Sequence, residues 1–108
     1  MKNNIFFLPP LAVALLTLAS CTKKADVEAL EKGKTIYMSR CISCHNADPK
    51  KPGSIGPEIF GSSKDLLETK ILSMKYPSGH RPKRDTRLMP VMPELKGDIE
   101  GLQKFLNN

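Results

Sequence analysis

Cys41-Ile42-Ser43-Cys44-His45 concentrates more potential chemistry than any other stretch of the chain. It has the C-x-x-C-H spacing of covalent c-type haem attachment. Residues at i, i+3 and i+4 share one face of a helix. From that face Cys41 and Cys44 can each form a thioether to a vinyl group of one haem, and His45 can point at the iron as proximal ligand. Other chemistry is open to the same residues. A thioredoxin-like redox pair uses C-x-x-C too, but in a βαβ setting, and no strand-rich pattern surrounds Cys41. A zinc site would need four converging ligands; Cys41, Cys44, His45 and His80 could supply them only if adjacent Cys44 and His45 bent onto one ion. A plain Cys41–Cys44 disulfide is the remaining alternative.

Those residues need a helix and a compartment. Lys2 followed by the apolar run Ile5 to Leu18, with Pro9 and Pro10 inside it and Leu18-Ala19-Ser20-Cys21 closing it, reads as a secretory signal over residues 1–20. It is too short and too proline-broken for a comfortable membrane span. Leu18-Ala19-Ser20-Cys21 resembles the lipobox of bacterial lipoproteins. That resemblance implies cleavage before Cys21, acylation of Cys21 and a protein lipid-anchored to a bacterial membrane on its extracytoplasmic, periplasmic side. Several acyl chains hold a membrane far more firmly than one, which binds only marginally. Thr22 is not acidic, which under the same resemblance leaves the outer membrane open. Without lipid, Cys21 would be an odd thiol in an exported protein.

The 108 residues suffice for one small domain. Seventeen Lys and Arg stand against eleven Asp and Glu, a net charge of +6. Loss of Lys2 with the leader leaves sixteen cations and a net charge of about +5. Export turns so basic a chain away from nucleic acid. There is no Trp, and after Cys21 the aromatic residues are Tyr37, Phe60, Tyr76 and Phe105. So small an apolar inventory is marginal by itself, and a bound prosthetic group would complete the core.

Residues 21–27 read as a short polar tether and residues 28–108 as the domain. Leu30, Gly33, Tyr37 and Cys41 recur at helical spacing, which predicts a first helix over about 25–43. Gly33 costs helix propensity, so another element should pack closely there. Ser62 can cap a second helix, with Asp65 in its first turn and Leu66, Leu67, Ile71 and Met74 as its apolar face. A proline-rich, cationic loop over about 76–96 follows. Ile99, Leu102, Phe105 and Leu106 then predict a last helix over about 98–106. No convincing strand is present, so the expected fold class is all-α, with three to four helices.

Taken in order, these features resemble class I cytochrome c across nearly all of 26–106: the pentapeptide, the preceding helix with Gly33 and Tyr37, Gly56-Pro57-Glu58-Ile59-Phe60-Gly61, and Met89-Pro90 ahead of the final helix. The resemblance implies three to four helices around one covalent haem held by Cys41 and Cys44. It implies that the Pro57 carbonyl, twelve residues after His45, orients that imidazole. It places Leu102 and Phe105 against Gly33 and Tyr37. It also implies a methionine distal ligand before the last helix. Met38 and Met74 sit on predicted helices and read as core filler. Met89 and Met92 each precede a proline. Met89 lies sixteen residues before Phe105, the family's usual separation, and Met92 thirteen. Met89 is therefore favoured as the axial ligand, with Met92 the alternative or a haem-edge packing residue. His80, in a basic loop, is expected in solvent.

His/Met ligation leaves no open iron position. The expectation is an electron-transfer protein and not an enzyme: a monomer, tethered to the membrane by its N-terminal lipid, exchanging electrons with redox protein partners. The alternative is a haem-based sensor or peroxidase-like enzyme in which Met89 leaves the iron. The basic run 81–87 could lie in solvent, pair with haem propionates or steer an acidic partner. Tyr76 or an arginine could stand in for the tryptophan that relatives place near a propionate.

Overall fold

Nothing between Leu11 and Gly33 interrupts a helix: that stretch has no proline and no earlier glycine, and Ala, Leu, Lys and Glu dominate it. In a computed structural model, which describes residues 11–108 and their side chains from residue 21 onward, the first helix accordingly runs Leu11–Arg40 (α1). The leader expected over 1–20 lies outside the residues whose side chains are described. The segment 21–27, expected as a tether, is instead helical. Asp26 already belongs to the folded domain, because its carboxylate pairs with Lys104 near the other end of the chain.

The second helix is Lys64–Ser73 (α2). Its cap is Ser63, not Ser62: the Ser63 hydroxyl accepts from the Leu66 N–H at 3.1 Å. Ser62 is buried, and its hydroxyl donates back to the Ile59 carbonyl at 2.6 Å. Met74 ends α2 in the left-handed region, φ 59°. It is thereby turned outward, and the inward residues of α2 are Leu67 and Ile71. Met38 is exposed as well, one position off the buried Tyr37, so neither methionine fills the core.

A 3₁₀ helix, Pro93–Asp98, leads into the last helix, Ile99–Leu106 (α3). Proline at its first position explains this extra turn, since the missing N–H is one that a helix start leaves unpaired. Among the described residues there are three α-helices, one 3₁₀ helix and no strand, so the domain is all-α.

The core is Tyr37, Leu67, Ile71, Met92, Leu95, Ile99, Leu102 and Leu106. Helix α3 crosses α1 at two glycines. A Cβ added to Gly33 would lie 2.0 Å from the Gly101 carbonyl oxygen, and one added to Gly101 would lie 2.5 Å from the Ala29 oxygen. Sequence alone suggested a close approach at Gly33 but not that its counterpart is Gly101. One turn along, the Tyr37 and Phe105 rings meet at 5.3 Å and 46°. The crossing fixes the C-terminal end of α1, from which the cysteine pair emerges.

Candidate functional site

Helix α1 gives way at Arg40 to a single turn that carries the cysteines, rather than running on to Ser43. The turn keeps helical bonding: Cys41 N–H to Tyr37 O at 3.0 Å and His45 N–H to Cys41 O at 2.9 Å. The i→i+4 relation of Cys41 and His45 is therefore preserved, and both line one cavity of about 410 Å³. That volume falls within the ~300–1,000 Å³ of small-molecule and cofactor pockets. Tyr37 secures the start of the turn. It is fully buried, and its hydroxyl donates to the Asn46 carbonyl just past His45. Burial, with Cys41 and Asp48 nearby, pushes its pKa up to about 12, so the phenol keeps its donor proton.

His45 is held from behind. Its Nδ1 lies 2.9 Å from the Pro57 carbonyl oxygen. A carbonyl can only accept, so Nδ1 carries a proton, and Nε2 is the nitrogen left to act as a ligand. One ring face rests on Gly56, where an added Cβ would come within 2.5 Å of Cε1 and Nδ1. The Gly56 N–H in turn donates to the Cys44 carbonyl at 2.9 Å. The role of Gly56 was not anticipated. The glycine before Pro57 was visible in the sequence, but which ring it would meet depends on how the 46–55 loop returns. Gly56→Ala is expected to break the Nδ1–Pro57 bond and to cost about 1–3 kcal/mol, the usual range for overpacking. Loss of the imidazole N–H resonance by NMR, together with a lower denaturation midpoint, would show this; an unchanged resonance would contradict it.

Cys41, Cys44 and Cys21 are free thiols. Cys41 is half-buried, and burial pushes its pKa up to about 11 in spite of neighbouring Arg40. A dithiol redox pair needs the opposite, a thiol lowered toward neutrality. Cys44 is half-buried beside Ser43, whose hydroxyl contacts its sulfur at 3.9 Å, and it does not line the cavity. Among the described residues no three His, Cys, Asp or Glu side chains converge on a point that could hold a metal ion, so the Cys41, Cys44, His45 and His80 grouping is not assembled.

The two loop methionines separate clearly. Met89 is half-buried and lines the cavity with His45. Met92 is 7 % exposed and sits in the core beside Ile71, whose carbonyl accepts its N–H at 2.7 Å. It is a core residue and not a cavity-edge one. His80, expected in solvent, is half-buried on the cavity wall. The turn at Gly79, φ 78°, folds it back so that its ring stacks on Tyr76 at 5.2 Å and 9°. Lys70 lies 4.2 Å from the Tyr76 ring centroid.

The basic run divides by what its side chains touch. Lys83 donates to the Glu58 carbonyl at 3.0 Å and pairs with the Glu58 carboxylate at 3.3 Å. Arg84 donates to the Gly53 carbonyl at 3.0 Å. Arg81 and Arg87 are exposed and form no ion pair among the described residues.

The site therefore offers an oriented imidazole, a thiol and a thioether on one largely apolar cavity, with a second thiol on the same turn. No helix among the described residues is long and apolar enough to cross a membrane. No known family model matches the chain, and no solved structure matches it.

Proposed function

We propose that this chain is an exported, lipid-anchored monohaem c-type cytochrome of the class I kind, carrying single electrons between redox protein partners. The observation that supports this best is His45. Its Nδ1 is committed to Pro57 and its ring is cradled by Gly56, while Cys41 and Met89 share its cavity. An imidazole with Nε2 left for a metal, two thiols on the same turn and a soft thioether form a donor set that suits a covalent haem.

Cys41 and Cys44 would hold the macrocycle, His45 and Met89 would ligate the iron, and the group would supply an Fe(II)/Fe(III) couple. The residues do the tuning. The Pro57 carbonyl raises the basicity of the His45 imidazole and holds its plane. A thioether from Met89 favours the reduced state and raises the potential. The apolar walls Leu67, Ile71, Leu102 and Leu106 disfavour the extra charge of the oxidised state. Acylated Cys21 would keep the domain at the membrane.

The test is expression with haem-maturation machinery, followed by ferric spectra and carbon monoxide binding to the reduced protein. The wild type is expected to show the Met–iron charge-transfer band and a reduced spectrum that carbon monoxide leaves unchanged. Met89→Ala should lose the band and bind carbon monoxide at once. Met92→Ala should keep the band yet lose about 2–5 kcal/mol of stability, as buried methionine truncations do. The reverse pattern would reassign the ligand, and a colourless wild type would overturn the proposal. Rapid carbon monoxide binding by the wild type would turn the reading toward a small-ligand sensor.

A further inference from the structure

We infer that Lys83 and Arg84 are positioning residues: they strap the Met89-bearing segment to the loop behind His45, so that the two candidate axial ligands are held on one cavity by one connection. This rests on the ligand assignment proposed above.

Between His80 and Met92 the chain has no helix and no strand. It is pinned at one end by the Tyr76–His80 stack and at the other by the Met92 N–H to Ile71 O bond. Among the described residues, the only hydrogen bonds made by positions 81–91 are those of Lys83 and Arg84. Both land on backbone carbonyls of the 53–58 loop, one on either side of Pro57. Glu58 directly follows the residue that accepts from His45. Gly53 donates to Gly56 at 2.9 Å and packs so tightly on the turn that a Cβ there would lie 2.2 Å from the Cys44 oxygen. The strap therefore grips the small loop that orients the imidazole, and Met89 follows Arg84 by five residues.

A cationic donor on a neutral carbonyl is stronger than a neutral pair. Arg84 is half-buried, so water competes for it less than for Lys83. With neither bond, the segment from 81 to 91 would hang between its two pins, and the thioether would spend more time away from the cavity. The sequence shows only a run of cations, which reads as a solvated loop, as a partner for haem propionates or as a patch that steers an acidic partner. The partition of that run, with Lys83 and Arg84 turned in and Arg81 and Arg87 turned out, is what the fold adds.

The test uses the haem-loaded full-length mature protein and two readouts: the rate of carbon monoxide binding after reduction, and amide hydrogen exchange across 85–91. Arg84→Ala is expected to speed both by about tenfold, the factor equivalent to ~1.4 kcal/mol. Arg84→Lys, which can still donate to one carbonyl, should stay within about threefold of wild type. Arg81→Ala and Arg87→Ala remove the same charge and should change neither readout. Lys83→Ala, at an exposed position, serves if Arg84→Ala fails to fold, with a smaller increase in the same direction. The strap is overturned if Arg84→Ala lowers the melting temperature alone, or if all three arginine variants behave alike, as a steering patch would require. A wild type that folds without haem overturns the proposed function instead, and the exchange comparison on that folded chain then still decides the strap.

Discussion

A chain carrying Cys41→Ala and Cys44→Ala, extracted to remove any loosely held haem, is expected to lose most of its helical circular dichroism and its cooperative thermal transition. Among the described residues the apolar core holds eight buried side chains, and one wall of it is the cavity itself. Leu67, Ile71, Leu102 and Leu106 face both. With the cavity of about 410 Å³ left without an occupant, those four apolar side chains meet water instead of a partner. The whole stability of a small domain is only about 5–15 kcal/mol, so that exposure weighs heavily. A group bound only by the folded chain contributes its binding energy to folding. Both cysteines are replaced, because under the proposed function a thioether from either one would hold the haem through extraction. Haem-free material that melts cooperatively near the wild-type temperature would show that the fold closes without the group, and with it the present reading of the cavity would fail.

Much of the site was legible from local pattern. Cys41, Cys44 and His45 are adjacent in sequence, and a single turn sets their relation. The Pro57 contact needed only a count of residues and the resemblance, and it is present at 2.9 Å. Gly33 and Tyr37, Leu102 and Phe105 follow from helical period. What was not legible depends on the chain returning to itself. The start of α1 was placed too late because polar residues 22–24 looked like linker. No proline or glycine lies between Leu11 and Gly33, however, and the Asp26 pair with Lys104 holds that end in place. Ser62 and Ser63 are equivalent as letters; burial of one left the other to cap α2. Met89 and Met92 share the same Met-Pro context; the count back from Phe105 favours Met89 through the resemblance, but the burial of Met92, with its N–H bonded to Ile71, comes from the fold. Lys83 and Arg84 bond to carbonyls, which every residue has, so no partner residue type could have announced them.

Gly33→Ala is expected to lower the stability of the protein by about 2 kcal/mol or more, against the gain of roughly 1 kcal/mol that an alanine normally brings to a helix interior. The opposing term is steric. The new methyl carbon would fall 2.0 Å from the Gly101 oxygen, 2.3 Å from its carbonyl carbon and 2.7 Å from the Leu102 nitrogen. These are backbone atoms, so no rotamer change relieves the contact and the helices must separate. Overpacking costs about 1–3 kcal/mol where side chains can yield, and here they cannot. The ion pairs flanking the crossing, Lys32–Asp98 at 2.7 Å and Asp26–Lys104, each keep one well-exposed partner and so do little to hold the helices together. Separation at Gly33 also loosens the Tyr37–Phe105 contact one turn on, and through Tyr37 the turn that bears Cys41. A loss of 2 kcal/mol in a domain of this size lowers the melting temperature by roughly 8–16 °C. Gly97→Ala is the control, because nothing lies within 4 Å of its added carbon, and it should melt within about 2 °C of wild type. If Gly33→Ala melts at or above the wild-type temperature, α1 and α3 do not cross through these two glycines, and the cysteine turn is set by something other than that crossing.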